Sequence, residues 1–158
     1  MLTAIAGTLK MTHKETLEQE FQRHLKEPAT QLGFEIYEEQ SSNTGGALIK
    51  LRNTELKIQL VNDRGIINLD IGPTGRLENF TDTELLNSLI QLNGVSESLT
   101  KMSRKKIVNK RIGLGEQIKF LTEYYTELKK LFSSKKCKKT SEQLVKLGEE
   151  RFNNLTGA

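Results

Sequence analysis

The chain has 158 residues, of which 35% are hydrophobic and 28% charged, with a formal net charge of +4 at pH 7. This length suits a single domain, and the composition is not that of an intrinsically disordered chain. The single cysteine excludes an internal disulfide framework, and no apolar run approaches the length of a transmembrane helix. The apolar start, MLTAIAGTL, lacks the basic residues of a secretory signal peptide. We therefore expect one cytoplasmic domain over residues 1–158, with no membrane partner.

Residues 1–11 are interpreted as a lead before the first helix, either an extra strand or a docked tail. Thr12 and Glu15 have the spacing of a capping box, in which each side chain satisfies an unpaired amide at a helix start. Apolar residues then recur every fourth position, the spacing of one helix face: Leu17, Phe21 and Leu25. The pattern predicts an N-terminal helix, which Pro28 is expected to kink or split.

Alternating apolar and polar residues after this helix predict strands. Residues 34–38 form a first strand, and residues 47–71 alternate through three more. Because successive strand side chains point to opposite faces, these runs predict a sheet with one apolar and one wet face. Asn53-Thr54 and the Asn62–Gly65 segment separate the last three runs, and such residues favour tight hairpins. The simplest arrangement is a four-stranded antiparallel meander.

Helices are predicted for the remainder of the chain. The Thr81–Glu84 segment forms a second capping box before a helix that ends at Gly94. Further helices are predicted over 96–108, over 116–132 and from 140 onward, with a basic linker over 133–139. The predicted fold class is therefore α+β: an N-terminal helix, the meander sheet, and three to four C-terminal helices packing on the sheet. Residues 12–94 would form the helix–sheet–helix core, and 95–158 a basic helical extension.

No pattern in the sequence indicates catalysis, a metal or a cofactor. His13 and His24 lie roughly 16 Å apart on a helix, too far to share one metal ion. Cys137 has no second cysteine and is interpreted as a surface thiol. Asp63 and Asp70 lie near strand ends, where a turn or a cross-strand pair explains them without an active site. We predict that the protein is not an enzyme.

Positive charge is concentrated in the C-terminal half. Residues 101–139 contain 13 lysines and arginines against three glutamates, whereas residues 1–80 contain nine lysines and arginines against 11 acidic residues. The candidate partner-binding residues are one basic cluster, Lys101, Arg104, Lys105, Lys106, Lys110 and Arg111, followed by three cations of the wet sheet face, Lys50, Arg52 and Lys57. A second basic cluster comprises Lys129, Lys130, Lys135, Lys136, Lys138 and Lys139. Such a field attracts an acidic protein surface or nucleic-acid phosphate, although lysine-rich helices also serve solubility.

Several short segments over residues 14–92 resemble those of small bacterial cytosolic proteins of the toxin-immunity type. The resemblance runs through Gly33-Phe34, Leu51-Arg52-Asn53, Leu56-Lys57-Ile58, Asn62-Asp63-Arg64-Gly65, Asp70-Ile71-Gly72 and Leu85-Leu86. The basic helical extension departs from the shorter pattern of these proteins. The resemblance implies an α+β domain that binds a toxin and blocks its active site or assembly.

The first hypothesis is therefore a non-enzymatic protein-binding module, an immunity- or inhibitor-like partner of a bacterial toxin or effector. Its partner would be a protein with an acidic surface, because complementary charge speeds encounter. The alternative is an accessory nucleic-acid-binding protein that uses the basic 101–139 segment. A small enzyme would require a concave pocket with convergent polar groups.

Overall fold

The computed structural model describes residues 11–42, 45–75, 79–95 and 98–157, and over these the predicted α+β class is confirmed. An N-terminal helix leads into an antiparallel sheet, and further helices follow. Residues 1–10 of the predicted lead over 1–11 and residues 96–97 of the helix predicted over 96–108 lie outside the described residues.

The N-terminal helix begins as predicted at Thr12, whose hydroxyl oxygen accepts a hydrogen bond from the Glu15 amide at 3.1 Å. It comprises α1 (His13–Glu20), a π-helical turn (Phe21–Leu25) and α2 (Lys26–Gln31). The irregular turn lies before Pro28, because a proline cannot donate to the carbonyl four residues earlier and its ring crowds that carbonyl. The helix therefore widens ahead of the proline and continues past it.

Within the described residues, the sheet has five strands in the order β1-β2-β3-β4-β5, rather than the predicted four. They are β1 (Glu35–Ser42), β2 (Gly46–Arg52), β3 (Leu56–Asp63), β4 (Ile66–Pro73) and β5 (Thr81–Asp82). All pair antiparallel with their neighbours, and a bulge interrupts β1 between Ile36 and Glu38. The additional strand, β5, has only two residues, too few for any alternating pattern to reveal it.

The turn between β3 and β4 shows why the hairpin forms at this point in the sequence. Arg64 and Gly65 have φ angles of 54° and 96°, and two consecutive positive φ values are those of a type I′ hairpin turn. The side chain of Asn62 accepts from the Gly65 amide at 2.8 Å and donates to the His13 carbonyl at 3.1 Å. The turn is thereby tied to the start of α1.

One face of the sheet forms the hydrophobic core, as the alternation predicted. The inward-pointing residues of β2, β3 and β4 are almost fully buried: Ala47, Ile49, Leu51, Leu56, Ile58, Leu60, Leu69 and Ile71. The helix α1 covers β2 and β3. Burying one such aliphatic side chain contributes roughly 1.5–3 kcal/mol, so this face dominates the stability of the sheet.

The C-terminal helices are α3 (Thr83–Asn93), α4 (Lys101–Val108), α5 (Leu114–Glu123), α6 (Tyr125–Leu131) and α7 (Cys137–Thr156). The helices α3 and α5 contact β4, and both α4 and α7 pack against α3. The cap of α3 is Asp82 rather than Thr81, because the Asp82 carboxylate accepts from the Leu85 amide at 2.7 Å.

Three predictions in this region are wrong. The long helix over 116–132 is interrupted at Tyr124, which lies outside the α-helical region with φ −105° and ψ 17°. The basic linker over 133–139 is helical from Cys137, and that thiol is buried rather than on the surface. The reason is that the first turn of α7 packs into the core through Cys137 and Thr140, whose hydroxyl donates to the Leu131 carbonyl at 2.6 Å.

The edge of β4 beyond the short β5 is closed by side chains. Gln117 of α5 accepts from the Leu69 amide at 2.8 Å and donates to the Ile112 carbonyl at 2.9 Å. Thr83 donates its hydroxyl hydrogen to the Leu69 carbonyl. The backbone groups of Leu69 are thus satisfied without another strand, which removes a site for edge-to-edge pairing.

Candidate functional site

The structure places the first predicted basic cluster on one continuous segment of the chain, α4 and the connection that follows it. Its members Lys101, Arg104, Lys105, Lys106, Lys110 and Arg111 are all exposed. We call these six residues the basic surface. Within α4, every residue of which is described, Val108 alone is buried, and Met102 lies among the cations with 71% of its surface exposed.

Although α4 buries little of itself, it is held in place at several points. The hydroxyl of Thr100 accepts from the Ser103 amide at 3.1 Å and caps the helix. Arg104 donates through Nε to both carboxylate oxygens of Glu150 of α7, each at 3.0 Å. At the other end, Asn154 donates to Asn109 at 3.1 Å. The helix is therefore a fixed platform, and the charge of Arg104 is partly compensated by Glu150.

The three cations predicted on the wet sheet face have local partners instead of forming an open basic patch. Lys57 is only 7% exposed, so its assignment to a wet surface is wrong. The ring of Phe80, which precedes β5, lies 4.6 Å from the Lys57 ammonium and covers it. Lys50 pairs with Glu38 at 3.0 Å. Arg52 is exposed and stacks on Tyr37 at 4.6 Å.

The second basic cluster lies at the end of α6 and the start of α7. Lys129 pairs with Glu55 at 3.6 Å, and its ammonium lies 5.1 Å from the centre of the Tyr125 ring. The other five lysines of the cluster are exposed: Lys130, Lys135, Lys136, Lys138 and Lys139. The first turn of α7 buries Cys137 and Thr140, so the lysines on either side of these residues point to solvent.

A cleft lies between the outward face of the sheet and α7, and no sequence pattern predicted it. It has a volume of about 520 Å³ and is lined by strand residues, among them Asp63, Asn68 and Asp70, and by α7 residues, among them Phe152 and Leu155. We call it the sheet cleft. Sequence analysis explained Asp63 by a turn and Asp70 by a cross-strand pair, and no local pattern predicted that α7 would lie beside them.

Charges in the sheet cleft are unevenly compensated. Desolvation by burial raises the pKa of Asp70, and the nearby charge of Asp82 raises this pKa further. A hydrogen bond from Gln59 at 2.8 Å lowers the pKa but does not cancel the rise. Arg151 donates to Asp82, which raises the pKa of the guanidinium and keeps it charged. Glu84 accepts from the Ile112 amide at 2.7 Å. In the described part of the chain, no group of three acidic, histidine or cysteine side chains is arranged to hold a metal ion.

Comparison with protein-family models, with curated proteins and with solved structures finds no match to this chain. Among the helices of the described residues, none is both long and apolar enough to cross a membrane.

Proposed function

We propose that this protein is a non-enzymatic, cytoplasmic binding protein, an immunity- or inhibitor-like partner of a bacterial toxin or effector. Its basic surface would contact an acidic surface of that partner. The observation that carries the proposal is α4 itself, which is fixed by Glu150 and Asn154 while exposing four cations and Met102.

The arrangement of α4 suits recognition by a protein. An apolar side chain surrounded by charges matches the usual organisation of an interface, where an apolar centre is enclosed by a polar rim. Because the helix is already held by α7, little conformational entropy is lost on binding. Complementary charge would speed encounter with an acidic partner and disfavour basic ones.

The alternative is a nucleic-acid-binding protein, and the second basic cluster is the observation that favours it. Its five exposed lysines could contact phosphates without reading sequence, because lysine contributes charge rather than bidentate base contacts. Under this alternative both basic clusters would contribute to affinity. Under the protein-binding proposal, the basic surface alone would matter.

Two charge-matched triple variants separate these functions. The first, Lys101→Glu, Lys105→Glu and Lys106→Glu, alters the basic surface, and the second, Lys135→Glu, Lys138→Glu and Lys139→Glu, alters the other cluster by the same charge. All residues concerned are exposed, so both variants should fold, which circular dichroism checks. Each protein is used to capture partners from a nuclease-treated lysate of the strain that encodes it, and captured proteins are purified for affinity measurement.

We expect a partner that binds the wild type and the second variant with equal affinity. Its affinity for the first variant should be at least about tenfold lower, which corresponds to a loss of about 1.4 kcal/mol of binding free energy. Equal binding of a partner by all three proteins would refute a role for the basic surface. Binding of duplex DNA that falls steeply between about 50 and 200 mM salt, and that both variants weaken, would instead establish the nucleic-acid alternative.

A further inference from the structure

Three large apolar side chains are exposed together around the sheet cleft. Ile66 at the start of β4 is 68% exposed, and Phe152 and Leu155 of α7 are 65% and 61% exposed. Phe152 and Leu155 are three residues apart and so lie on the same side of the helix. Single exposed apolar residues are ordinary, but a contiguous group at a concave site marks a surface for binding.

The floor of the same cleft favours positive charge. Arg151 forms an ion pair with Asp82, and Glu84 accepts a hydrogen bond from the Ile112 amide. Asp63 and Asp70 are the remaining carboxylates of the lining, and neither forms an ion pair with another described residue. Arg111 is the remaining cation, and it lies at the edge where the cleft meets the basic surface.

We infer that the sheet cleft binds a segment of a partner protein in which a lysine or arginine is flanked by large apolar side chains. The cation lies against Asp70, and the apolar side chains pack on Ile66, Phe152 and Leu155. A rim that is about two-thirds exposed is covered only by something larger than the cleft, which favours a polypeptide segment over a small molecule. This surface goes beyond the proposed function, because its charge preference is opposite to that of the basic surface.

The test uses two blocked peptides, one with an arginine between two leucines and one with glutamate in place of the arginine. Binding is followed by amide NMR, with two side-chain amides as reporters: that of Asn68, which lines the cleft, and that of Gln59, which donates to Asp70. Affinities are compared for the wild type, Asp70→Asn and Phe152→Ser. The matched control is Val145→Ser, which removes a 61% exposed apolar side chain of the same helix outside the cleft.

We expect the arginine peptide to shift both reporters, and its affinity to fall about tenfold in Asp70→Asn and in Phe152→Ser but not in Val145→Ser. Equal binding of the glutamate peptide, shifts confined to other surfaces, or equal weakening by Val145→Ser would overturn the proposal. So would a concentration-dependent dimer lost in Phe152→Ser, because the occupant would then be a second copy of the chain. The triple variant of the basic surface should bind the peptide normally, so failure here is distinguishable from failure of the proposed function.

Discussion

Arg151 of α7 donates to both carboxylate oxygens of Asp82, at 3.3 and 2.9 Å, while Asp82 also caps α3. One carboxylate therefore joins the last helix to the start of the helix that follows the sheet. The two residues are 69 positions apart in the chain.

Replacing Asp82 should separate these two roles. Asp82→Ala should reduce the free energy of unfolding by about 0.5–2 kcal/mol through loss of the cap alone, whereas Asp82→Asn should retain much of the cap. A double-mutant cycle of Asp82→Ala with Arg151→Ala should give a coupling of about 0.2–1 kcal/mol, because the pair is partly exposed. Urea denaturation measures the free energy of unfolding of the wild type, the single variants and the double variant. Strict additivity of the two changes would show that the ion pair does not hold α7 in place.

Gln117 should be important for stability because it closes the β4 edge. Gln117→Leu leaves the Leu69 amide without its acceptor and should cost about 1–3 kcal/mol. Gln117→Glu keeps an acceptor for the Leu69 amide but buries a carboxylate against the Asn68 and Ile112 oxygens to which Gln117 donates, so its effect should be at least as large. Chemical denaturation compares both with Lys119→Ala, an exposed position of the same helix. If Gln117→Leu were as mild as that control, the edge would not depend on this side chain.

Gly72 lies where another part of the backbone passes unusually close. A Cβ at this position would be 1.8 Å from the carbonyl oxygen of Asn79, so Gly72→Ala forces two backbone segments apart. We expect a loss of about 1–3 kcal/mol, as for overpacked sites. Gly115→Ala is the matched control, since no atom lies within 4 Å of the added methyl, and its helix propensity should stabilise by up to about 1 kcal/mol. Melting temperatures that move in the same direction for both variants would contradict the close approach.

The ionisation of Asp70 should oppose folding. Because its pKa in the folded protein is raised above the ordinary value of 3.8, the charged form is less favourable in the fold than in the unfolded chain. Asp70→Asn removes that charge and retains an acceptor for Gln59. Its stability relative to wild type should therefore increase as pH rises from below 3.8 through the raised pKa, and remain constant above it.

Urea denaturation over this pH range measures the difference, with Asp63→Asn as the control for an exposed carboxylate. Asp82, Glu84, Arg111 and Arg151 also line the cleft, and all are present in every variant. A stability difference independent of pH would show that Asp70 ionises as it does in the unfolded chain.

The exposure of the six cations of the basic surface could be predicted from the sequence, as could that of Arg52, whereas the burial of Lys57 could not. The six cations of the basic surface lie together because they are close along one helix and its connection, and their exposure follows from how few apolar residues α4 contains. The burial of Lys57 could not be predicted from neighbouring residues in the sequence. Its side chain occupies the expected face, but Phe80 crosses that face from 23 residues later in the chain.

Local patterns in the sequence predicted the α+β class, the inward face of the sheet and the cap of the first helix. These depend on residues within a few positions of one another, through side-chain periodicity and local hydrogen bonds. The tertiary structure alone decided that Cys137 is buried, that Gln117 closes the β4 edge, and that α7 forms a cleft with the outward sheet face. Each of these depends on contacts between elements distant in the chain, whose relative placement is fixed only when the whole core packs.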